Sequence, residues 1–169
     1  MQTSSKVQAM IEALEACSGP EFVDIVDQLK ISAQDLEDFV SWNEKSYARH
    51  CIHATGDYEL LVLCWEPGQS TEIHTHGGQE CWVMAIDGSL DEIRYSTCVG
   101  KEPQEVARLP ITGNRISYMK DEIGMHVLSN PHSVRAITLH LYMNPIRTCE
   151  IYDPNTNSTR TKLMSYDTK

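Results

Sequence analysis

Residues 72 to 88 read EIHTHGGQECWVMAIDG, and a single residue separates His74 from His76. In an extended strand alternate side chains leave the same side, so both imidazoles could serve one metal ion; on a helix they would point apart. Taken alone, the pair also suits two surface residues beside a turn at Gly77 and Gly78. A second group with chemical potential lies in RAITLHLYMNP, where a period of two puts Thr138, His140 and Tyr142 on one strand face. A histidine beside a tyrosine hydroxyl can orient a phenol, although an ordinary half-buried strand face would look the same.

Both groups need strands to hold them. From residue 46 onward, short segments rich in Val, Ile, Leu, Tyr and Thr alternate with turn signals at TGD (55), EPG (66), DG (87), VGK (99), TGN (112) and NP (130 and 144). This spacing predicts a mainly β fold, a small barrel or jelly roll, with three or four consecutive antiparallel strands between 58 and 95. Residues 1–44 predict three short helices. Val7, Met10, Ile11 and Leu14 share one helical face. Residues 18–21 read as a capping box, and Ser32 repeats the start signal before Leu36, Phe39 and Val40. The 169 residues are expected to form one domain, with a helical part over 1–44 and a barrel with a C-terminal extension over 45–169.

Composition narrows the partners. With 24 acidic and 14 basic residues the chain carries a net charge of -10, which argues against nucleic acid or an anionic membrane and for a small solute. Six cysteines without CxxC spacing, an N-terminus without an apolar signal segment, and no apolar run near the roughly 20 residues of a membrane span predict a reduced, soluble, cytoplasmic protein.

The run Gly68, five residues, His74, one residue, His76 and then Gly88 resembles the first motif of the cupin superfamily. Cupins usually place a glutamate shortly after the second histidine; here Cys81 takes that position with Glu80 beside it. The second cupin motif implies a third ligand at His126, followed by Asn130. His50, His53 and His132 lack comparable surroundings and read as exposed or structural. Three neutral imidazoles with open coordination positions suit iron, zinc, nickel or copper, so donor type alone does not choose the metal.

From about Tyr47 to Met164 the chain resembles the thiol dioxygenases, and the cysteine dioxygenases among them. The resemblance is carried by YARHCI with Arg49, LCWEPG with Trp65, IHTHGGQEC, ISYMKDEIGMH and LHLYMNPIRTC. It implies one Fe(2+) held by His74, His76 and His126, with L-cysteine and dioxygen as substrates and cysteine sulfinic acid as product. It further implies a thioether joining Cys81 to Tyr142. Tyr142, oriented by His140, would stand near the dioxygen site; Arg49 would grip the substrate carboxylate, with Tyr47 and Trp65 lining the pocket. Without an anionic protein ligand the ion keeps its full charge and favours an incoming thiol as thiolate.

Two departures from the family pattern bear on substrate choice. Its serine before the paired histidine is Thr138, and its Ser-Pro-Pro stretch is Met143, Asn144 and Pro145, which predicts a different turn beside the pocket. Alternatives are a dioxygenase for 3-mercaptopropionate or another small thiol, a non-catalytic metal-binding cupin, or a cupin using Glu80 as ligand. A monomer is expected.

Overall fold

The computed structural model describes residues 4–17, 20–96, 102–113 and 115–167. Helix α1 (Ser5–Leu14) buries Val7, Met10, Ile11 and Leu14, the face its periodicity marks. Helix α2 (Phe22–Leu29) buries Phe22 and Val26 and ends at Lys30, in the left-handed region at φ 48°. Ser18 and Gly19 of the expected capping box lie outside the described residues, and Glu21, at the N-cap of α2, makes no capping bond with its side chain. The expected third helix is a single 3-10 helix, Gln34–Phe39. Its start is fixed by Asp35, whose Oδ2 accepts from the backbone N–H of Ser32 at 2.9 Å and from its hydroxyl at 2.6 Å.

Ten strands follow among the described residues: β1 (Ala48–Ala54), β2 (Tyr58–Trp65), β3 (Glu80–Asp87), β4 (Ser89–Tyr95), β5 (Glu105–Thr112), β6 (Ser117–Met119), β7 (Met125–Ser129), β8 (Ala136–Met143), β9 (Thr148–Asp153) and β10 (Ser158–Leu163). They form a five-stranded sheet in the order β1-β2-β8-β3-β6, a three-stranded sheet β5-β4-β7 and the hairpin β9-β10. The pairing corrects one expectation. β2, β3 and β4 are consecutive in sequence but do not pair with one another, because β8 inserts between β2 and β3, and β4 crosses to the second sheet. That crossing needs Gly88, at φ 67°, where a Cβ would lie 2.5 Å from the carbonyl oxygen of Arg135.

The central sheet is buried on both sides, which is why LLVLCW is apolar without alternation. One face, with Leu60, Val62 and Cys64 of β2, Trp82 and Met84 of β3, and Leu139 and Leu141 of β8, packs on the helices. The opposite face, with Leu61, Leu63, Trp65, Cys81, Val83 and Tyr142, closes on Leu90, Ile111, Leu128 and Ile151 from the other strands. Thr138 and His140 are in phase with Tyr142 and therefore also face the barrel interior. All three are buried.

Candidate metal centre

His74 and His76 lie in the extended segment between β2 and β3, not in a continuous strand as the sequence predicts. Flanking strands grip this segment one bond at a time: the Thr71 N–H donates to Leu128 O (2.9 Å), His74 and His126 exchange N–H···O bonds (3.1 and 3.0 Å), and the Thr75 N–H donates to Glu150 O (3.0 Å). Contact with both β7 and β9 prevents a regular ladder with either, yet the backbone stays extended and the two imidazoles still share a side. His76 then leaves the segment through Gly77, at φ 62°, where a Cβ would sit 2.4 Å from Thr148 O. Asp121 fastens the turn by accepting the N–H of His76 (2.6 Å) and of Gly78 (2.7 Å).

His126 stands on β7 opposite this segment. The ring centroids of His74, His76 and His126 lie 4.6 to 5.4 Å apart, and one nitrogen from each can be chosen so that all three fall within 4.8 Å of one another. Among the described residues no carboxylate belongs to the cluster. Tautomers follow from the outer bonds: Nδ1 of His126 donates to Oε1 of the buried Glu92 at 2.8 Å, and Nδ1 of His74 to the Glu72 carbonyl at 2.9 Å. Both Nε2 lone pairs are left for the centre. Nε2 of His126 and both ring nitrogens of His76 are buried without a hydrogen-bond partner among the described residues; a metal ion would engage the first and one of the two on His76. Burial first, then the neighbouring imidazoles, holds His76 and His126 well below the ordinary histidine range; burial also lowers His74. Neutral rings are what a metal requires.

Glu92 is itself held, taking the Ser117 hydroxyl at 2.7 Å on Oε1 and Arg94 at 3.1 and 3.0 Å on Oε2. Glu80 points elsewhere and accepts the Tyr118 hydroxyl at 2.6 Å. As Glu80 lies outside the ligand cluster, nothing in this geometry favours the glutamate-ligand alternative.

Beside the histidines, Cys81 and Tyr142 are direct cross-strand partners of β3 and β8, both buried. Burial raises the Cys81 thiol, and burial together with that sulfur raises the Tyr142 hydroxyl well above its usual range. His140 does not hydrogen-bond Tyr142; the rings lie parallel with centroids 6.3 Å apart. Instead Trp65 Nε1 donates to Thr138 Oγ1 at 2.9 Å, and the same hydroxyl shares a hydrogen bond with Nε2 of His140 at 2.8 Å. Nδ1 of His140 is buried and has no hydrogen-bond partner among the described residues. Burial pushes His140 down to about 3.

A cavity lined by Tyr47, Arg49, His140 and Tyr142 reaches the histidine cluster at His74. Trp65 is not on its wall; fully buried, it stacks on Tyr47 at 4.6 Å and braces Thr138. Arg49 lies on β1, an edge strand, yet is buried and ion-paired to Glu59 at 2.8 Å.

The family profile described as Cysteine dioxygenase type I matches residues 2–155. The chain belongs to the cysteine dioxygenase type I family. Relatives named Cysteine dioxygenase type 1 include one from Danio rerio, 26% identical over 156 residues that cover 88% of this chain and 77% of the relative. Another, from Homo sapiens, is 27% identical over 135 residues, 78% of this chain and 68% of the relative. Among solved structures, a Klebsiella pneumoniae protein with a double-stranded β-helix domain superposes with a TM-score of 0.52 at 16% identity, covering 76% of this chain and 87% of its own. An RmlC-like cupin from Desulfovibrio desulfuricans gives 0.52 at 14% identity, covering 69% and 99%. The fold is a cupin barrel carrying short N-terminal helices, and family membership supports a thiol dioxygenase.

Of the remaining expectations, His50 is buried against the Ser41 hydroxyl at 2.7 Å, His53 is part-exposed near Glu15, and His132 is exposed. Asn130 is structural, its Nδ2 donating to Trp65 O and Val134 O. The turn after Tyr142 is made by Asn144 at φ 64°. The described cysteines carry no disulfide, Cys98 lying outside them. No helix among the described residues is long and apolar enough to cross a membrane.

Sequence reasoning missed Glu92, Asp121 and Glu59. Two of the three left a trace: Glu92 is in phase with Leu90, and Glu59 with Leu61, Leu63 and Trp65, so each is an acid on an inward strand face.

Proposed function

We propose that the protein is an iron(II) thiol dioxygenase that converts L-cysteine to cysteine sulfinic acid. The observation that carries this reading is the three-imidazole cluster, without a carboxylate among the described residues, whose His74 lines a cavity shared with Arg49, His140 and Tyr142. His74, His76 and His126 would hold the ion, and iron would supply a binding place for thiolate and dioxygen and a route for electrons from sulfur to oxygen. The balance needs no further reductant: RSH and O2 give RSO2H, with both oxygen atoms on sulfur.

The chain's own groups bind and orient. Glu92 keeps the His126 lone pair aimed inward, and Asp121 keeps His76 in register. Arg49 offers the substrate carboxylate a planar fork, with Tyr47 against it on the cavity wall. Tyr142 stays protonated in its buried setting, so its hydroxyl donates a hydrogen bond toward the reacting oxygen atoms. Cys81 and Tyr142, facing each other across the β3–β8 ladder, would form the thioether.

Anaerobic purification, iron analysis and oxygen uptake with L-cysteine test the reading. Iron near one per chain and one dioxygen consumed per sulfinate formed are expected; iron without thiol-dependent uptake would leave a metal-binding cupin.

A further inference from the structure

The site face of β2 carries one acid. Glu59 is fully buried in phase with Leu61, Leu63 and Trp65, and its Oε1 accepts Nη2 of Arg49 at 2.8 Å. Its other oxygen accepts the hydroxyl of Tyr166. The same guanidinium gives Nη1 to the carbonyl of Ser165 at 3.0 Å and lies 4.8 Å from the Tyr166 ring centroid. Arg49 therefore meets its substrate already paired.

The second cation on the cavity wall also has an acid beside it, in an exposed pair and not a buried one. Lys162 places Nζ 3.1 Å from Glu72, a carboxylate that also takes Arg160 at 2.6 Å. Neither positive charge facing the cavity is left without an acid.

We infer that Glu59 is a specificity-determining residue, which fixes the fork of Arg49 while neutralising it, so that the pocket depends only weakly on the carboxylate of its thiol substrate. The inference rests on the thiol dioxygenase reading and deepens it. Of the five N–H donors of a guanidinium, Glu59 and Ser165 occupy one each among the described residues. A substrate carboxylate finds donors to spare, but it becomes a second anion on one cation, and the two anions repel in a poorly hydrated site. A purely structural Glu59 would serve only to keep a buried arginine paired, and charge would then have no bearing on thiol choice.

Charge and geometry separate in two variants. In Glu59→Gln the amide oxygen can still accept from Arg49 and the amide nitrogen can donate to Tyr166, but the anion is gone. Glu59→Asp keeps the anion and shortens the reach. The probes are L-cysteine and cysteamine, which share thiol and amine and differ in the carboxylate. Dissociation constants come from anaerobic calorimetry on iron-loaded protein, and KM and kcat from oxygen uptake. Removing the competing anion is expected to raise the preference for L-cysteine over cysteamine on the order of tenfold in Glu59→Gln, through binding and KM and not kcat, while Glu59→Asp stays within about twofold of the parent.

A preference that is unchanged or lower in Glu59→Gln overturns the inference. Should that variant fail to fold, the parent decides: a preference for L-cysteine above about a hundredfold, the strength of a fully charged buried pair, would show Arg49 acting without neutralisation and overturn it equally. Failure of the parent to bind or oxidise either thiol overturns the dioxygenase reading itself, whereas turnover with a preference fixed across the variants removes only the role of Glu59.

Discussion

His126 depends on a chain of partners longer than its own side chain. Glu92 orients its ring, and Ser117 and Arg94 hold Glu92. Loss of an outer-shell acid commonly costs metal affinity about 10–100-fold, so Glu92→Gln is expected to lower iron affinity by that order while circular dichroism stays that of the parent. His126→Ala should abolish both bound iron and turnover; full iron content in that variant would remove it from the ligand set. The cross-strand pair makes a separate claim. After aerobic turnover with L-cysteine, mass spectrometry should find the peptides of Cys81 and Tyr142 joined, with the two hydrogens of S–C bond formation lost, and Cys81→Ala should show no such product. Arg49→Lys keeps a charge opposite Glu59 but loses the fork, and should lower kcat/KM for L-cysteine on the order of tenfold with a smaller effect on cysteamine.

The segment between β2 and β3 shows what a sequence reveals about an element and what it conceals. The period of two in HTH correctly put both rings on one side, because that period belongs to extended backbone whether or not a ladder forms. The partners of that backbone were not legible, since they come from β7 and β9, about fifty and seventy-five positions farther along. The insertion of β8 between β2 and β3 was hidden for the same reason: apolar runs announce strands, and register across a barrel is set by residues distant in sequence. The helices were easier, as i, i+3, i+4 patterning is local, and only the third proved tighter than expected. Asp121 belongs to this scale, because it fastens a turn and touches no ring. Asp121→Ala should release the backbone of His76 and Gly78, and lower iron occupancy more than the unfolding midpoint of metal-free protein. Equal iron occupancy in variant and parent would confine Asp121 to a structural role.

Across the whole molecule, one sheet separates the helices from the chemistry, so a proton taken up on one face is felt as instability of both. Burial keeps His140 neutral down to about 3, whereas an unfolded histidine protonates near 6.5. Between those values the unfolded chain binds more protons, so the stability of metal-free protein falls as pH drops below about 6.5 and levels off only near the folded value. From pH 7 to pH 5 His140 alone should remove about 2 kcal/mol, and His76 and His126, also held neutral by burial, act in the same direction. Urea midpoints at the two pH values check this; a midpoint that does not fall at pH 5 would mean that these rings are hydrated in solution.

The bonds of Arg49 reach into the last described residues: Ser165 takes its side chain, Tyr166 lies against it, and Asp167 exchanges two bonds with its backbone, at 2.8 and 2.7 Å. Cleavage of the chain before Ser165 would take all three partners from Arg49 at once. The barrel would keep its buried core, since of these residues only Tyr166 packs against it, and the histidine cluster with it. Such a protein would lose the partners that hold its arginine before it lost its metal site, and the damage would show first in its choice of thiol.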